Sequence, residues 1–231
     1  MASRVVRGGD ELRVAEGALQ RRTSSLKVLY EDDDCLVVDK PAGLPAAPTR
    51  SAAAGTALDI ARRQLRRHQP TACLWLVHRL DAPTSGVLLF AKSQRAAAAL
   101  GKAFQSRTLN KVYLARVAGV PGQLSGCIDL SLRNAGGRAV VAVDGRPAQT
   151  EWEMFAGEGD SALLRLRPLS GRFHQLRAHL SAIGHPVVGD RLYGGPPAPR
   201  LMLHAATLIF PHPTSGERVE VSAPPPRELE V

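Results

Sequence analysis

The sequence predicts a single α+β domain built on a mixed, largely antiparallel sheet with flanking helices. Two observations carry that prediction. Apolar runs of strand length outnumber segments with helical periodicity, and turn residues punctuate them at short intervals. At 231 residues the chain is also long enough for one sizeable core, burying about 70% of its unfolded surface.

Composition narrows the partners. Lys and Arg total 30 against 21 acidic residues, a net charge of +9, and the pI is about 10.2. Such a balance favours a polyanion, either nucleic acid or an anionic membrane surface. No run of about 18 apolar residues could span a bilayer, and the first 25 residues lack the apolar core of a signal peptide. Residues 57–68 are too weakly apolar for a membrane-surface helix. Cys35, Cys73 and Cys127 form neither a zinc motif nor a disulfide framework, which suits a reducing cytoplasm as the expected location. Aromatics are only 4%, too few for binding RNA mainly by ring stacking.

In chain order, residues 1–26 are polar and basic without clear period, and read as a partly disordered N-terminal arm. Lys27–Tyr30 and Cys35–Val38 are strands around the acidic turn Glu31–Asp34. Lys40-Pro41-Ala42-Gly43-Leu44-Pro45 ends the second strand. Thr56 caps a helix expected to run to about His68, because Pro70 forbids continuation. Its stripe is Leu58, Ala61 and Leu65, with Arg62, Arg63, Arg66 and Arg67 on other faces.

The centre of the chain is His78–Ser93, HRLDAPTSGVLLFAKS. Val87–Ala91 reads as a strand buried on both faces. Asp81 stands at its lip, where a rigid element can hold a carboxylate in fixed geometry. Such an Asp more commonly bonds its own turn. Arg79, two residues earlier, projects to the same side if the segment is extended and would favour the ionised carboxylate.

Ser93 caps a second helix, Gln94–Gln105, with a stripe at Ala96, Leu100 and Phe104. Lys111–Val117 is a strand in which Tyr113 shares a face with Ala115 and Val117. Residues 127–143 are Gly-rich and read as a long hairpin or flap carrying Arg133 and Arg138. Ala148–Phe155 and Ser161–Leu166 pair as strands. Leu176, Leu180 and Ile183 mark a third helix that Gly184 stops. Arg172 precedes it, near backbone N–H groups that favour anions. His174 and His179 lie about 140° apart around a helix, so they do not form the i, i+4 metal pair. Two further strands flank Pro211–Gly216.

HRLDxxTSG followed by an apolar strand closely resembles the signature of the RluA-type pseudouridine synthases. YEDDDCLVVDKPAGL, KVYLA, SGRFHQLRAHLSAIGHPVVGD and LHAATLIFPHPTSGE resemble that family's other motifs, in order. The likeness covers residues 27–226 and leaves 227–231 as a short tail. It implies a pseudouridine-synthase-like fold with a central cleft, and isomerisation of uridine in structured RNA, a tRNA or rRNA stem-loop. It implies that Asp81 is the nucleophile, that Arg177 pairs with it, and that Tyr113 lines the uridine pocket. Arg79 would fill the gap left by the flipped base, and Arg172 and His174 join it as expected RNA contacts. The KPxGL turn would support the floor of the site. Phe173 stands where the family carries a small hydroxyl residue, and Pro45–Pro48 where it often has His-Pro.

Breaking a C–N bond, turning the uracil and rejoining it through carbon involves no redox step. No cofactor or metal is therefore expected, nor an obligate protein partner, so a monomer is anticipated. Two alternatives share parts of the pattern. A base-excising glycosylase also uses an Asp and a flipped base. A non-catalytic RNA-binding module shares only the charge.

Overall fold

The computed structural model describes residues 25–48, 54–106 and 108–229; most of the basic arm lies outside them. A ten-stranded mixed sheet dominates. On one side of its middle are β1 (Lys27–Glu31), β2 (Cys35–Lys40), β3 (Trp75–Leu76) and β4 (Ser85–Ala91). On the other are β5 (Asn110–Ala118), β6 (Ser125–Asp129), β9 (Gln149–Glu158) and β10 (Ser161–Pro168). Between them runs β11 (Leu203–Pro211), which also pairs with β12 (Arg218–Ser222). β7 (Leu132–Ala135) and β8 (Arg138–Val141) form a separate hairpin.

β4 and β11 form the one parallel pair among the described strands, joined only at Ser85–His204 and Gly86–Ala205. Gly86 has φ +110°, and a Cβ there would lie 2.2 Å from the Ala205 carbonyl oxygen. Only glycine lets these strands meet, so Gly86 sets the midline of the sheet directly behind Asp81.

α1 (Ala57–Leu65) has a complete capping box between Thr56 and Asp59. It ends before His68 because the last turn tightens: the Arg67 and His68 amides bond back only three residues, to Gln64 and Leu65. α2 (Gln94–Ser106) starts where the Ser93 hydroxyl accepts the Ala96 amide. α3 (Gln175–Ala182) is the third helix.

Leu203 and Ala205 project to one face of β11, yet they belong to different cores. Leu203 packs with α3 residues Leu176 and Leu180, and Ala205 with α1 residues Leu58, Ala61 and Leu65. Tyr113 touches both clusters. The cleft opens beside Tyr113 between the loop before β4 and the start of α3, with Phe104 of α2 on its wall; the buried stripe of α2 packs on the opposite face with Val87, Leu89 and Phe210. At the ends of the described residues, Leu26 is buried and its backbone is bracketed by the Gln64 amide. Leu229 is buried too, in a 3-10 turn at Arg227–Leu229, so packing continues past residue 226. No described helix is long and apolar enough to cross a membrane.

Candidate active site

His78, Leu80 and Asp81 are each held by a separate contact. His78 accepts the Leu89 amide on Nε2 at 3.0 Å and stacks on Phe104 at 4.8 Å. Leu80 is buried in the α1 cluster. The turn after Asp81 is closed by its main-chain carbonyl, which accepts the Thr84 amide at 3.1 Å. The Asp81 carboxylate is thereby left to face the cleft instead of serving its own turn. Beneath the loop, Lys40 is fully buried. Its Nζ donates to the carbonyls of Pro41, Leu44 and Ala82 at 2.7–3.0 Å. Burial pushes its pKa down to about 7, against the pull of Asp81 and Asp39. The Lys40-Pro41-Ala42-Gly43-Leu44 turn is thus tied to the residue beside Asp81, and the Gly43 amide adds a 2.8 Å bond to the Ala82 carbonyl.

Arg177 pairs with Asp81, as expected, but through one edge only. Its planar fork does not grip Asp81. Nε and Nη2 grip Asp190, at 2.6 and 2.7 Å, while Nη1 only approaches Asp81, at 3.5 Å. Asp190 sits on a tight loop, its side chain fully buried, whereas the Asp81 side chain is 24% exposed. The more desolvated carboxylate demands the bidentate partner. Burial alone would ease the proton off Arg177, but Asp190 and then Asp81 hold it there, above the ordinary range.

His174, just ahead of α3, is the single non-glycine residue with positive φ among those described, at 49°. Its ring stacks on Phe173 at 3.8 Å. Nδ1 lies 3.1 Å from the Tyr193 hydroxyl, and Nε2 lies 3.2 Å from Arg177 Nη1 and 3.7 Å from Asp81 Oδ2. The Tyr193 oxygen also accepts the Ala139 amide of the β7–β8 hairpin at 2.8 Å. Burial, with Arg177 and Arg79, holds the imidazole below its ordinary range against Asp81 and Asp190. Gln175 next to it uses both ends of its amide. The oxygen accepts from the Ser170 hydroxyl and Arg172 amide, and the nitrogen donates to Gln149 and Thr150. His179 points away, toward Thr150 and the Leu130 carbonyl.

These groups line a cleft of about 440 Å³ that includes Asp81, Tyr113, Arg177, Arg79, Arg172 and His174. The fold therefore brings all six candidates together. Among the described residues lining it, Asp81 carries the sole carboxylate. Tyr113 forms part of its wall, its phenol held protonated by burial and by Asp81's charge. Arg79 is exposed at the rim, and Arg172 Nε donates to the Pro147 carbonyl at 3.0 Å. A larger groove of about 890 Å³ shares Lys111 and Arg172 and adds Arg146 and Arg167. Asp190 and Tyr193 had no assigned role in the sequence reading, and Lys40 had one only as part of the KPxGL turn. The signal for the first two was a Gly-Asp followed by Tyr-Gly just after a helix; for Lys40 it was a lysine at the end of a buried strand.

Elsewhere, Asp32, Cys35 and His212 bring ligand atoms within 4.8 Å of one another. That set is already used. His212 Nδ1 accepts the Thr214 and Ser215 amides, so Nε2 carries the proton and donates to Asp32 at 3.0 Å. Asp32's other oxygen accepts the Asp34 and Cys35 amides.

Comparison with known proteins matches residues 34–182 to a family model described as RNA pseudouridylate synthase. An Escherichia coli K12 protein, "Dual-specificity RNA pseudouridine synthase RluA", is 40% identical over 208 residues, covering 86% of this chain and 93% of that one. A Vibrio vulnificus protein of the same description is 42% identical over 202 residues, 82% of this chain and 79% of that one. Among solved structures, human RNA Pseudouridylate Synthase Domain Containing 4 superposes with TM-score 0.71 at 28% identity, covering 88% of this chain and 90% of that one. Human RNA Pseudouridylate Synthase Domain Containing 1 gives 0.70 at 32%, covering 90% and 87%. With the motif residues gathered around one cleft and this likeness running along most of its length, the chain belongs to the RluA-type family of RNA pseudouridine synthases.

Proposed function

We propose that this RNA pseudouridine synthase acts on flipped-out uridines in stem-loops of transfer RNA and large-subunit ribosomal RNA, with Asp81 as nucleophile. The observation that carries the reading is the placement of Asp81. It is the cleft's sole carboxylate among the described residues, supported from below by Lys40 and faced by Arg177 and His174. The guanidinium edge beside it offers a counter-charge and a donor to a carboxylate that attacks, or takes a proton, at the sugar. Tyr113 offers the base a ring to stack on and a protonated hydroxyl to donate. Arg79 at the rim fills the space vacated by the base. Arg172, Arg146 and Arg167 lie where a phosphate backbone could follow the second groove. The two-target reading is supported by the relatives described as dual-specificity. We further propose a monomer at work in the cytoplasm, with residues 1–26 as an accessory basic arm on the catalytic domain.

The test has two parts. RNA labelled with tritium at C5 of uridine should release tritium to solvent when carbon joins the sugar. Mapping pseudouridines in cells with and without the gene should identify lost sites in both RNA classes. Release of uracil as a free base would mark base excision instead, and lost sites in one class only would remove the dual-target part.

A further inference from the structure

The reaction moves one proton within the base. C5 loses its hydrogen when it bonds to C1′, and N1, the former glycosidic nitrogen, gains one. The electron pair of the C5–H bond becomes the C5=C6 double bond, and the C6=N1 pair moves onto N1. The balance needs a base that is unprotonated beforehand and can hand the proton on, with no outside reactant.

We propose that His174 is this proton carrier: Nε2 takes the proton from C5, and the imidazolium delivers a proton to N1. The inference deepens the Asp81 reading and rests on it, because Asp81 places the sugar. Three structural observations support it. First, the tautomer is determined by the neighbours. An arginine donates and never accepts, so Arg177 Nη1, at 3.2 Å, donates to Nε2. Nε2 is therefore the unprotonated nitrogen, and the proton sits on Nδ1, directed at the Tyr193 oxygen. Second, that lone pair, shared with Arg177 Nη1 until substrate takes its place, lies 3.7 Å from Asp81 Oδ2, so a carbon held at Asp81 is within its reach. Third, the chain keeps His174 in a left-handed conformation that other residues avoid, and such outliers persist where the surroundings enforce them, often at functional sites. The enforcement is visible in Phe173 stacked on one face and Tyr193 at the edge.

The other described groups in the cleft are less suited. Tyr113 is held protonated. His78 holds its Nε2 on the Leu89 main-chain amide of β4, a contact that anchors the loop itself. Lys111 donates to the Ser170 carbonyl. Asp81 is the group that acts at C1′ in the reading above and is released there as C5 bonds to the sugar. The charged and titratable groups facing His174 are Asp81 and Arg79 from the β4 loop, Arg177 from α3, and Asp190 and Tyr193 from the following loop. Arg138 of the hairpin lies over the Tyr193 ring. Acid that protonates Nε2 would cancel the base and break the Arg177 contact, so turnover should fall on the acid side.

The decisive experiment uses the full chain under single turnover, with RNA carrying hydrogen or deuterium at C5 of the target uridine. His174→Asn retains a residue type that tolerates left-handed backbone. It should slow product formation by about 10²-fold or more and open a C5-deuterium isotope effect of several-fold. RNA affinity and its salt slope should not change. Added imidazole should restore part of the rate to His174→Ala, following the free-base concentration. Tyr193→Phe, which unlocks the tautomer, should show the same isotope effect with a smaller loss of rate. Loss of rate without an isotope effect in a folded His174→Asn protein would overturn the proposal, as would a weakened salt slope, the mark of a phosphate contact. An active Asp81→Asn protein would refute the nucleophile reading alone, leaving the isotope effect to judge His174.

Discussion

Arg177 lies between two carboxylates and treats them differently. Asp190, fully buried on the loop after α3, receives the bidentate grip at 2.6 and 2.7 Å. Asp81, on the loop before β4 and partly open to the cleft, receives a single approach at 3.5 Å. A charge removed from water must be fully compensated, so the Asp190 pair behaves as a structural lock. A carboxylate that must attack or accept a proton would be hindered by the same grip. The contrast indicates that Arg177 is held in place by one acid in order to influence the other, with the spare edge of its guanidinium.

The largest expected effect falls on the open carboxylate. Asp81→Asn should reduce tritium release by at least about 10³-fold, while RNA affinity stays within a few-fold because phosphate contacts supply most of it. Full tritium release by the folded variant would return Asp81 to the status of a turn residue. Asp190→Asn should act first on stability. It leaves Arg177 buried with half a partner, at a cost of about 3–5 kcal/mol, read as a melting temperature lower by roughly 10 °C. An unchanged melting curve would erase the distinction between lock and reactant. Arg177→Lys is next. A lysine cannot fork to Asp190 and still reach Asp81, so turnover should fall by roughly 10²-fold, the scale of a catalytic group misplaced by about 1 Å. Combining Arg177→Lys with Asp190→Asn should cost less than the sum of the two, and strict additivity would mean they do not act as a pair. The smallest effect belongs to the groove. Arg167→Ala should weaken RNA binding by a few-fold and lower the log–log salt slope by about 1, without altering the chemical step. A slope that does not move would place the RNA elsewhere.

The legible parts of the fold were those whose signal is local. Cys35–Val38, Val87–Ala91 and Lys111–Val117 were readable as strands from apolar runs and alternation, and they lie inside β2, β4 and β5. The Ser93 cap and the Ala96, Leu100, Phe104 stripe located α2 within a residue. Other features depended on distant partners. Trp75–Leu76 is too short to announce itself and is a strand only because β4 supplies its bonds. The Gly-rich stretch 127–143 was expected to be a long hairpin or flap. The hairpin is there as β7–β8, turning through Gly136 and Gly137, but it is shorter than expected because β6 joins the edge of the main sheet at β9.

The site divides in the same way. By itself the sequence determined the residue types and the reaction class: a carboxylate in HRLD, a tyrosine on an alternating strand, and an arginine in HQxR, on a basic chain. Those are properties of motifs, carried by spacing along the backbone. Only the tertiary structure decided which charge meets which. Asp190 and Arg177 are thirteen residues apart, and Arg177 and Asp81 come from opposite sides of the β4–β11 junction, so no periodicity could assign the fork. The assignment follows from burial, because the carboxylate most removed from water takes the strongest donor, and burial is a property of the assembled sheet, its loops and helices together.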